Sequence, residues 1–410
     1  MSDTPPCRSC GSQGLRTFLS LGKTPLSDNI LTAEQLGGPE PRFPLDVAFC
    51  PDCTLVQILE EVPEEQLFVD NYLYFSSFSD HLLRHSRAHA LELIESRGLR
   101  TNSFVVEVAS NDGYLLRNFA ERGIRVLGID PAPDQAKAAR EIGVPTIEEF
   151  FGTETAHRIR AEHGAADVVI AKNVMAHVPK LNDFVGGLAA LVSDDGVVTV
   201  ENPYVRDLVE HGEFDTIYHE HYYYYSCTAV DLLMKRHGLS LNHVEYFPDL
   251  HGGTLRWHMG RTPDVSDTVA AYLARERETG LTGFGYYRDF ARTVERIRTE
   301  LLDLLGRLRS EGASIAAYGA AAKGSTLINY VGIGPELVDF VVDRNTYKQG
   351  KFMPGMHMPI VDPQVLLDRQ PDYCLLLAWN FSDEILRQQE EYVRRGGRFI
   401  RPVPVPEILG

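Results

Sequence analysis

Residues 104–131 read FVVEVASNDGYLLRNFAERGIRVLGIDP, and they decide the fold. Phe104–Ala109 is a β-branched run of the kind buried on both faces of a parallel sheet. Ser110-Asn111-Asp112-Gly113 is turn chemistry, because Asn and Asp bond nearby backbone and glycine tolerates positive φ. Tyr114–Arg122 has helical spacing, and Arg125–Asp130 reads as a second strand ending in an acid. Such a strand–loop–helix–strand unit carries a nucleotide crevice at its loop, and an acid ending the second strand commonly bonds ribose hydroxyls. The loop is not the G-x-G-x-x-G that admits a pyrophosphate. It offers a single glycine, Gly113, and two acids, Glu107 and Asp112. Acids repel phosphate and suit a ligand with a cationic amino group and no phosphate. S-Adenosylmethionine is such a ligand. A βαβ unit that merely carries an acidic turn is the plainer alternative.

The alternation continues on both sides of this stretch. HLLRHSRAHALELIESRGL (81–99) reads as an amphipathic helix leading in, and PDQAKAAREIG (133–143) as a helix leading out. VPTIEEFFG (144–152) brings an acid–aromatic loop at a strand end. DVVIAKNVMAHV (167–178) is a strand followed by a polar loop. LSLNHVEYFPDLHGGTLRWHMGR (239–261) reads as an antiparallel hairpin at the sheet edge, with His251 in its turn. Residues 71–265 are therefore expected to form one doubly wound α/β domain. Ligand contacts in such sheets cluster at the carboxyl ends of the strands. That gathers Glu107, Ser110, Asn111, Asp112, Gly113, Asp130, Pro131, Phe150, Lys172, Asn173 and His177 around one pocket.

At 410 residues the chain exceeds one ordinary core, so several domains are expected. Its net charge of −17, from 40 basic and 57 acidic residues, argues against nucleic acid or an anionic membrane as partner. No apolar run approaches the roughly 18 residues of a membrane span. MSDTPPCRSC lacks a signal-peptide pattern, so the expected compartment is the cytoplasm. A monomer is expected, though nothing in the sequence fixes the oligomeric state.

Four of the six cysteines form two pairs, Cys7/Cys10 and Cys50/Cys53. Each C-x-x-C turns two thiolates toward one point, and two such knuckles supply the four sulfurs of a tetrahedral zinc site. Four protein ligands leave no open position, so this metal is expected to be structural. FPLDVAFC and TLVQILEEV read as strands flanking the second knuckle, and LGKTPLSDNIL (21–31) as a loop inserted in the ribbon. Residues 1–70 are assigned to this zinc-binding unit. A redox dithiol is the alternative, but it would not need two knuckles.

Two further stretches carry chemistry. In DNYLYFSSFS (70–79), Tyr72 or Tyr74 could reach the active site; packing between domains is the plainer reading. In Tyr218-His219-Glu220-His221, followed by Tyr222–Tyr225, histidine titrates near neutrality and a neighbouring carboxylate can tune it, so the run suits a general base. A tyrosine hydroxyl can donate to a developing oxyanion. H-E-H lacks the i, i+4 histidine pair of a helical metal site, and aromatic packing alone is the plain alternative. Residues 266–312 read as a helical connector. Residues 313–410 begin again as α/β, with SIAAYGAAAKGSTLINYVGI as strand, small-residue loop and helix, and a second strand ending in Asp343. Amide donors beside Lys323, with Lys348 and Lys351 nearby, suit a phosphate.

In this order, the parts resemble the S-adenosylmethionine-dependent sugar C-methyltransferases of deoxysugar biosynthesis. The resemblance is carried by the two knuckles with LGKTPLSD, then YLYFSS, EVASNDGYLL, AKNVMAHV, YHEH, HGGTLR, YGAAAKGSTLIN and AWN. It implies a central Rossmann-like methyltransferase domain between a zinc-ribbon-like unit and a second Rossmann-like domain. It implies S-adenosylmethionine and structural zinc as cofactors. The implied substrate is a nucleotide-diphosphate 4-keto-sugar methylated at carbon 3. His221 matches the family's base, with Tyr218, Glu220 and either Tyr72 or Tyr74 beside it. Asp130 matches the ribose partner, Phe150 the adenine partner and Asn173 a lining residue. Lys323 and Asn329 match the residues that hold the nucleotide diphosphate; His251, in its hairpin turn, could face the substrate, a surface turn histidine being the plainer reading. The loop departs from the family pattern at Ala109, where glycine is usual. An O- or N-methyltransferase with the same cofactor, and a non-catalytic binding module, are the competing readings.

Overall fold

The computed structural model describes residues 5–63, 75–250 and 252–410. Tyr72, Tyr74 and His251 lie outside the described residues. Three sheets organise the chain. The N-terminal sheet runs Arg16–Thr24, Phe43–Phe49, Val56–Ile58, Tyr223–Tyr224, with antiparallel pairing throughout. The two knuckles sit at its edge. The Cys7 carbonyl accepts from the Gly11 amide at 2.8 Å, and the Cys50 carbonyl from the Thr54 amide at 2.9 Å. Each closing residue takes positive φ, 78° at Gly11 and 59° at Thr54.

The central sheet has seven strands, in the order Ser240–Phe247, Thr254–Gly260, Val192–Pro203, Ala166–Lys172, Phe104–Val108, Arg125–Ile129, Thr146–Ile147. The last five are mutually parallel and the first two antiparallel. Phe104–Val108 is completely buried, as a β-branched central strand between helical layers must be. The chain winds outward from it in both directions, so the loops after Phe104–Val108 and Ala166–Lys172 flank the switch point where such sheets bind ligands. The expected edge hairpin forms, with Thr254–Gly260 inserted against Val192–Pro203 and Ser240–Phe247 outermost.

The C-terminal sheet runs Ile360–Val361, Val341–Val342, Ile315–Tyr318, Tyr373–Leu376, Arg398–Arg401, Glu407–Leu409, parallel except for the last. It repeats the outward winding, with Ile315–Tyr318 at its switch point. The connector holds helices Asp267–Glu278 and Phe284–Ser310. The longer one buries Tyr287, Phe290, Val294, Ile297, Leu301, Leu305 and Leu308, spaced by three and four as a single stripe requires. Tyr287 stacks on Phe49 of the zinc unit at 5.0 Å, so this helix is clamped to the N-terminal sheet as well as bridging. One apolar core is continuous through all three sheets.

Three local expectations need correction. The helix expected from Tyr114 begins at Arg117 and lasts one turn, to Ala120. Asn118 donates its side-chain amide to the Leu115 carbonyl at 2.9 Å, and i→i−3 bonds replace α-helical ones at Asn118 and Phe119. The inserted N-terminal loop begins at Pro25, because Leu21–Thr24 completes the first strand. Finally, the tyrosine run contributes Tyr223–Tyr224 to the zinc unit's sheet, a long-range pairing that local pattern does not announce.

Candidate active site

The loop after Phe104–Val108 is curled by three left-handed residues, Ala109 (φ 54°), Asn111 (49°) and Gly113 (77°). A Cβ at Gly113 would lie 3.2 Å from the Val144 side chain, so glycine serves close packing as well as conformation. Asp130 holds the loop from the end of the second strand. Its carboxylate accepts the Asn111 amide at 2.8 Å and the Ala132 amide at 3.0 Å. From the other side, the turn Ser76–Phe78 clasps it. The Ser76 amide donates to Asn111 Oδ1 at 2.9 Å, and the Ser77 amide to Asp112 Oδ2 at 3.1 Å.

Several polar atoms here are buried with no partner among the described residues: both Glu107 carboxylate oxygens, Ser110 Oγ, Asp112 Oδ1 and Asn173 Oδ1. All but the hydroxyl are pure acceptors. Burial pushes the Glu107 carboxyl well above its ordinary range and Asp130 up to about 6. Buried acceptors without donors are costly, so the set suits a ligand bringing an ammonium and hydroxyls. That is the chemistry of S-adenosylmethionine. Pro131 and Phe150 are half-buried beside the ends of their strands.

Asn173 also adopts positive φ (51°), and its amide donates to the Glu201 carbonyl at 2.8 Å. Lys172 joins a buried charge cluster, where its ammonium also acts on the Glu107 carboxyl of the loop. Its Nζ lies 3.0 Å from Glu201, which also takes Arg256 Nε at 2.6 Å and His85 Nε2 at 3.0 Å. Burial alone would raise the Glu201 pKa, but Lys172, His85 and Arg256 outweigh it and hold the carboxyl well below its usual range. Burial pulls Lys172 down, with Glu201 opposing.

The Tyr218–Tyr225 run docks on the loop after Ala166–Lys172. The Tyr222 amide donates to the Ala176 carbonyl at 2.7 Å, and Tyr225 Oη to the Met175 carbonyl at 2.9 Å. Tyr223 and Tyr224 likewise spend their hydroxyls on the Pro179 and His221 carbonyls, at 2.9 and 3.2 Å, so the tetrad is packing. His221 is different. Its Nδ1 faces the Thr216 carbonyl at 2.9 Å, which fixes the proton on Nδ1 and leaves Nε2 the acceptor. Nε2 takes the Tyr218 hydroxyl at 3.0 Å. The His177 ring lies 4.8 Å from that of His221, and burial pushes its pKa down to about 4, so it stays neutral. Glu220 is buried, and desolvation followed by the charge of Asp28 pushes it up to about 8. Asp28 belongs to the loop of the zinc unit.

On the C-terminal sheet, Lys323 Nζ sits 4.0 Å over the Trp379 ring and 3.3 Å from Asn380 Oδ1, at the switch point. Lys348 Nζ donates to the Ala320 carbonyl at 2.7 Å. Asn329 turns its amide to the Ser325 and Pro354 carbonyls, at 2.9 and 3.0 Å, and so braces the turn before Gly355.

The four cysteine sulfurs lie within 4.8 Å of one another, with Cys7–Cys53 and Cys10–Cys50 each at 3.6 Å. Zinc–thiolate bonds of about 2.3 Å give a tetrahedron whose edge is about 3.8 Å, so the set fits zinc. The hydrogen bond from Cys53 draws Cys7 down to about 5, while that same bond pushes Cys53 up. Without a cation only part of the set ionises.

The family model described as "Methyltransferase domain" matches residues 77–244, and "C-methyltransferase C-terminal domain" matches 249–404. "C-methyltransferase NovU" of Streptomyces niveus is 37% identical over 406 residues, covering 98% of this chain and 96% of its own. The chain belongs to the C-methyltransferase family. It is an S-adenosylmethionine-dependent C-methyltransferase, as the resemblance implied. The model "Putative zinc binding domain" matches 7–68 and brackets the four cysteines. A "Ubiquinone biosynthesis O-methyltransferase" of Methylobacterium is 31% identical over 97 residues, 23% of this chain and 38% of its own. The solved magnesium protoporphyrin IX methyltransferase of Synechocystis with bound SAH matches at 13% identity and TM-score 0.36, over 44% of this chain and 83% of its own. No described helix is long and apolar enough to cross a membrane.

Sequence reasoning missed Asp28, Ser76, Ser77 and Thr216 as site residues. The first three lie in LGKTPLSD and YLYFSS, stretches that carried the resemblance without revealing a role. Thr216 acts through its carbonyl, which residue type cannot signal.

Proposed function

We propose that this C-methyltransferase acts on carbon 3 of a nucleotide-linked 4-keto-deoxysugar, with His221 as the base. The observation that carries the reading is the fixed tautomer of His221, with Nε2 left as acceptor beside the Tyr218 hydroxyl. The ketone at carbon 4 acidifies the carbon 3 hydrogen. His221 Nε2 removes that proton, and Tyr218 moves its hydrogen bond from Nε2 to the enolate oxygen. Such a preorganised donor lowers a barrier by about 3–4 kcal/mol. Glu107, Ser110–Gly113, Asp130, Pro131, Phe150, Asn173 and His177 hold S-adenosylmethionine, which supplies the electrophilic methyl group that carbon 3 takes. Glu220, neutral at pH 7, donates to a sugar oxygen, and Tyr72 or Tyr74 completes the site. The unit 71–265 holds the methyl donor and 313–410 the nucleotide diphosphate, through Lys323 and Asn329, with His251 of the edge hairpin on the substrate side. Residues 1–70 and 266–312 join them in a monomer.

Incubation of enzyme and a thymidine-diphosphate 4-keto-hexose in deuterium oxide tests this. Without methyl donor, the expected result is deuterium at carbon 3 of the recovered sugar nucleotide with wild type and none with His221→Ala, which still binds S-adenosylmethionine. Unchanged turnover in His221→Ala refutes the base. With S-adenosylmethionine added, a methylated product that still carries a hydrogen on carbon 3 indicates oxygen or nitrogen methylation.

A further inference from the structure

The one-turn helix Phe214–Thr216 supplies the carbonyl that fixes His221, and it is held from the C-terminal domain as well as by its own chain neighbours. Asp215, at its centre, is fully buried, and its Oδ2 accepts the Trp379 indole N–H at 2.6 Å. Trp379 lies on the turn after Tyr373–Leu376, at the switch point of the C-terminal sheet. Its ring face carries Lys323 Nζ. Phe214, on the same turn, packs edge-on against Tyr330 of helix Ala322–Val331 at 5.2 Å. The chain of contacts thus runs from the C-terminal domain through Trp379 and Asp215 to Thr216, and from the Thr216 carbonyl to His221 Nδ1 at 2.9 Å.

We propose that Asp215 and Trp379 are positioning residues through which the C-terminal domain sets the tautomer and aim of His221. This rests on the reading of His221 as base. Neither residue touches reacting atoms. Their effect is to keep the Thr216 carbonyl where only an Nδ1-protonated imidazole satisfies it. Displacements of about 1 Å at such a group cost about a hundredfold in rate.

The test uses full-length enzyme with nitrogen-15-labelled histidine, and His221→Asn to assign the resonances. Trp379→Phe keeps a ring under Lys323 and removes the N–H. It is expected to lower kcat by about ten- to a hundredfold, to leave the KM for S-adenosylmethionine unchanged, and to shift His221 toward mixed tautomers. Asp215→Asn keeps an acceptor for the indole and recovers most of the rate and the tautomer. Wild-type kcat or an unchanged His221 tautomer in Trp379→Phe overturns the proposal. So does a uniform rise in both KM values with a lowered melting temperature, which marks packing alone. If His221→Asn keeps wild-type turnover, the base assignment fails separately, and the tautomer of Trp379→Phe still reports whether the indole sets the imidazole.

Discussion

Replacing Glu201 with glutamine isolates the buried charge cluster beneath the cofactor loop. The Glu201 side chain is 1% exposed, and its oxygens serve Arg256 Nε, Lys172 Nζ and His85 Nε2 at 2.6–3.0 Å. Lys172 and Arg256 are themselves 1% and 2% exposed; Arg256 Nη1 keeps Glu245 and Glu92 at 3.3 Å, so the loss of Glu201 falls mainly on Lys172. Glutamine preserves shape and one acceptor oxygen, but its NH2 faces a cation. Removing one partner of a buried pair costs about 3–5 kcal/mol. Burial already pulls Lys172 down, so it can shed its proton, and about 3 kcal/mol is expected. The pH dependence follows from the sign of the shift. The folded carboxyl sits well below its unfolded value of about 4.3, so its stabilisation is complete above that value and is lost as pH falls through the folded pKa. Urea unfolding at pH 7, followed by circular dichroism, measures the loss. Lys172→Met is expected to cost comparably, and the double variant less than the sum by about 1–3 kcal/mol. A Glu201→Gln penalty under about 1 kcal/mol, or strict additivity with Lys172→Met, refutes the ion-paired cluster.

Purified enzyme should carry one zinc per chain, and Cys53→Ser should release it and depress activity, because the same unit supplies Asp28 and pairs with Tyr223–Tyr224; metal analysis finding no zinc would sink the site. Ala109→Gly relieves a left-handed alanine costing about 1–2 kcal/mol, offset by about 0.5–1 kcal/mol of extra chain entropy. A small rise in melting temperature is expected, and a fall would mean the methyl group packs usefully. Glu220, pushed up to about 8 by burial and then by Asp28, binds its proton more tightly folded than unfolded. Its contribution to stability therefore declines as pH rises from its unfolded value toward 8, and kcat/KM should fall above about pH 8. Asp28→Asn should move that limb to lower pH; an unmoved limb would break the link between the two carboxyls.

The fold was legible wherever its signal is local. The βαβ periodicity around Phe104–Asp130, the two C-x-x-C knuckles and the second α/β unit from Ser314 all announce themselves within short windows. What escaped depends on contacts made across the chain. Tyr222 to Tyr225 look alike in sequence, and only their docking separates packing tyrosines from Tyr218. Lys172, at a strand end, suits a ligand by type, yet Glu201, 29 positions later on the neighbouring strand, claims its ammonium. Ala109 was visible as a departure, but the backbone angle that gives it an energetic meaning was not.

The two α/β units solve one structural problem identically and differ in what they present. In the central sheet, Asp130 ends the second strand and accepts the Asn111 and Ala132 amides. In the C-terminal sheet, Asp343 ends the second strand and accepts the Ala320 and Asn345 amides at 2.6 and 2.7 Å. Both acids pin the loop leaving the first strand, so both crevices are held open by the same bond. The loop contents then sort the ligands. Glu107 and Asp112 surround the first with buried carboxylate, which rejects phosphate and favours a cation. Gly319-Ala320-Ala321-Ala322-Lys323 gives the second small side chains, free backbone approach and one lysine at a helix start, which favours an anion. On the proposed function, opposite charge preferences on one scaffold keep a sulfonium donor and a diphosphate-bearing acceptor from competing for the same crevice. His221 stands where a bond network reaches it from both units, so, as the proposed base, it is aimed only when the two crevices hold their relative position.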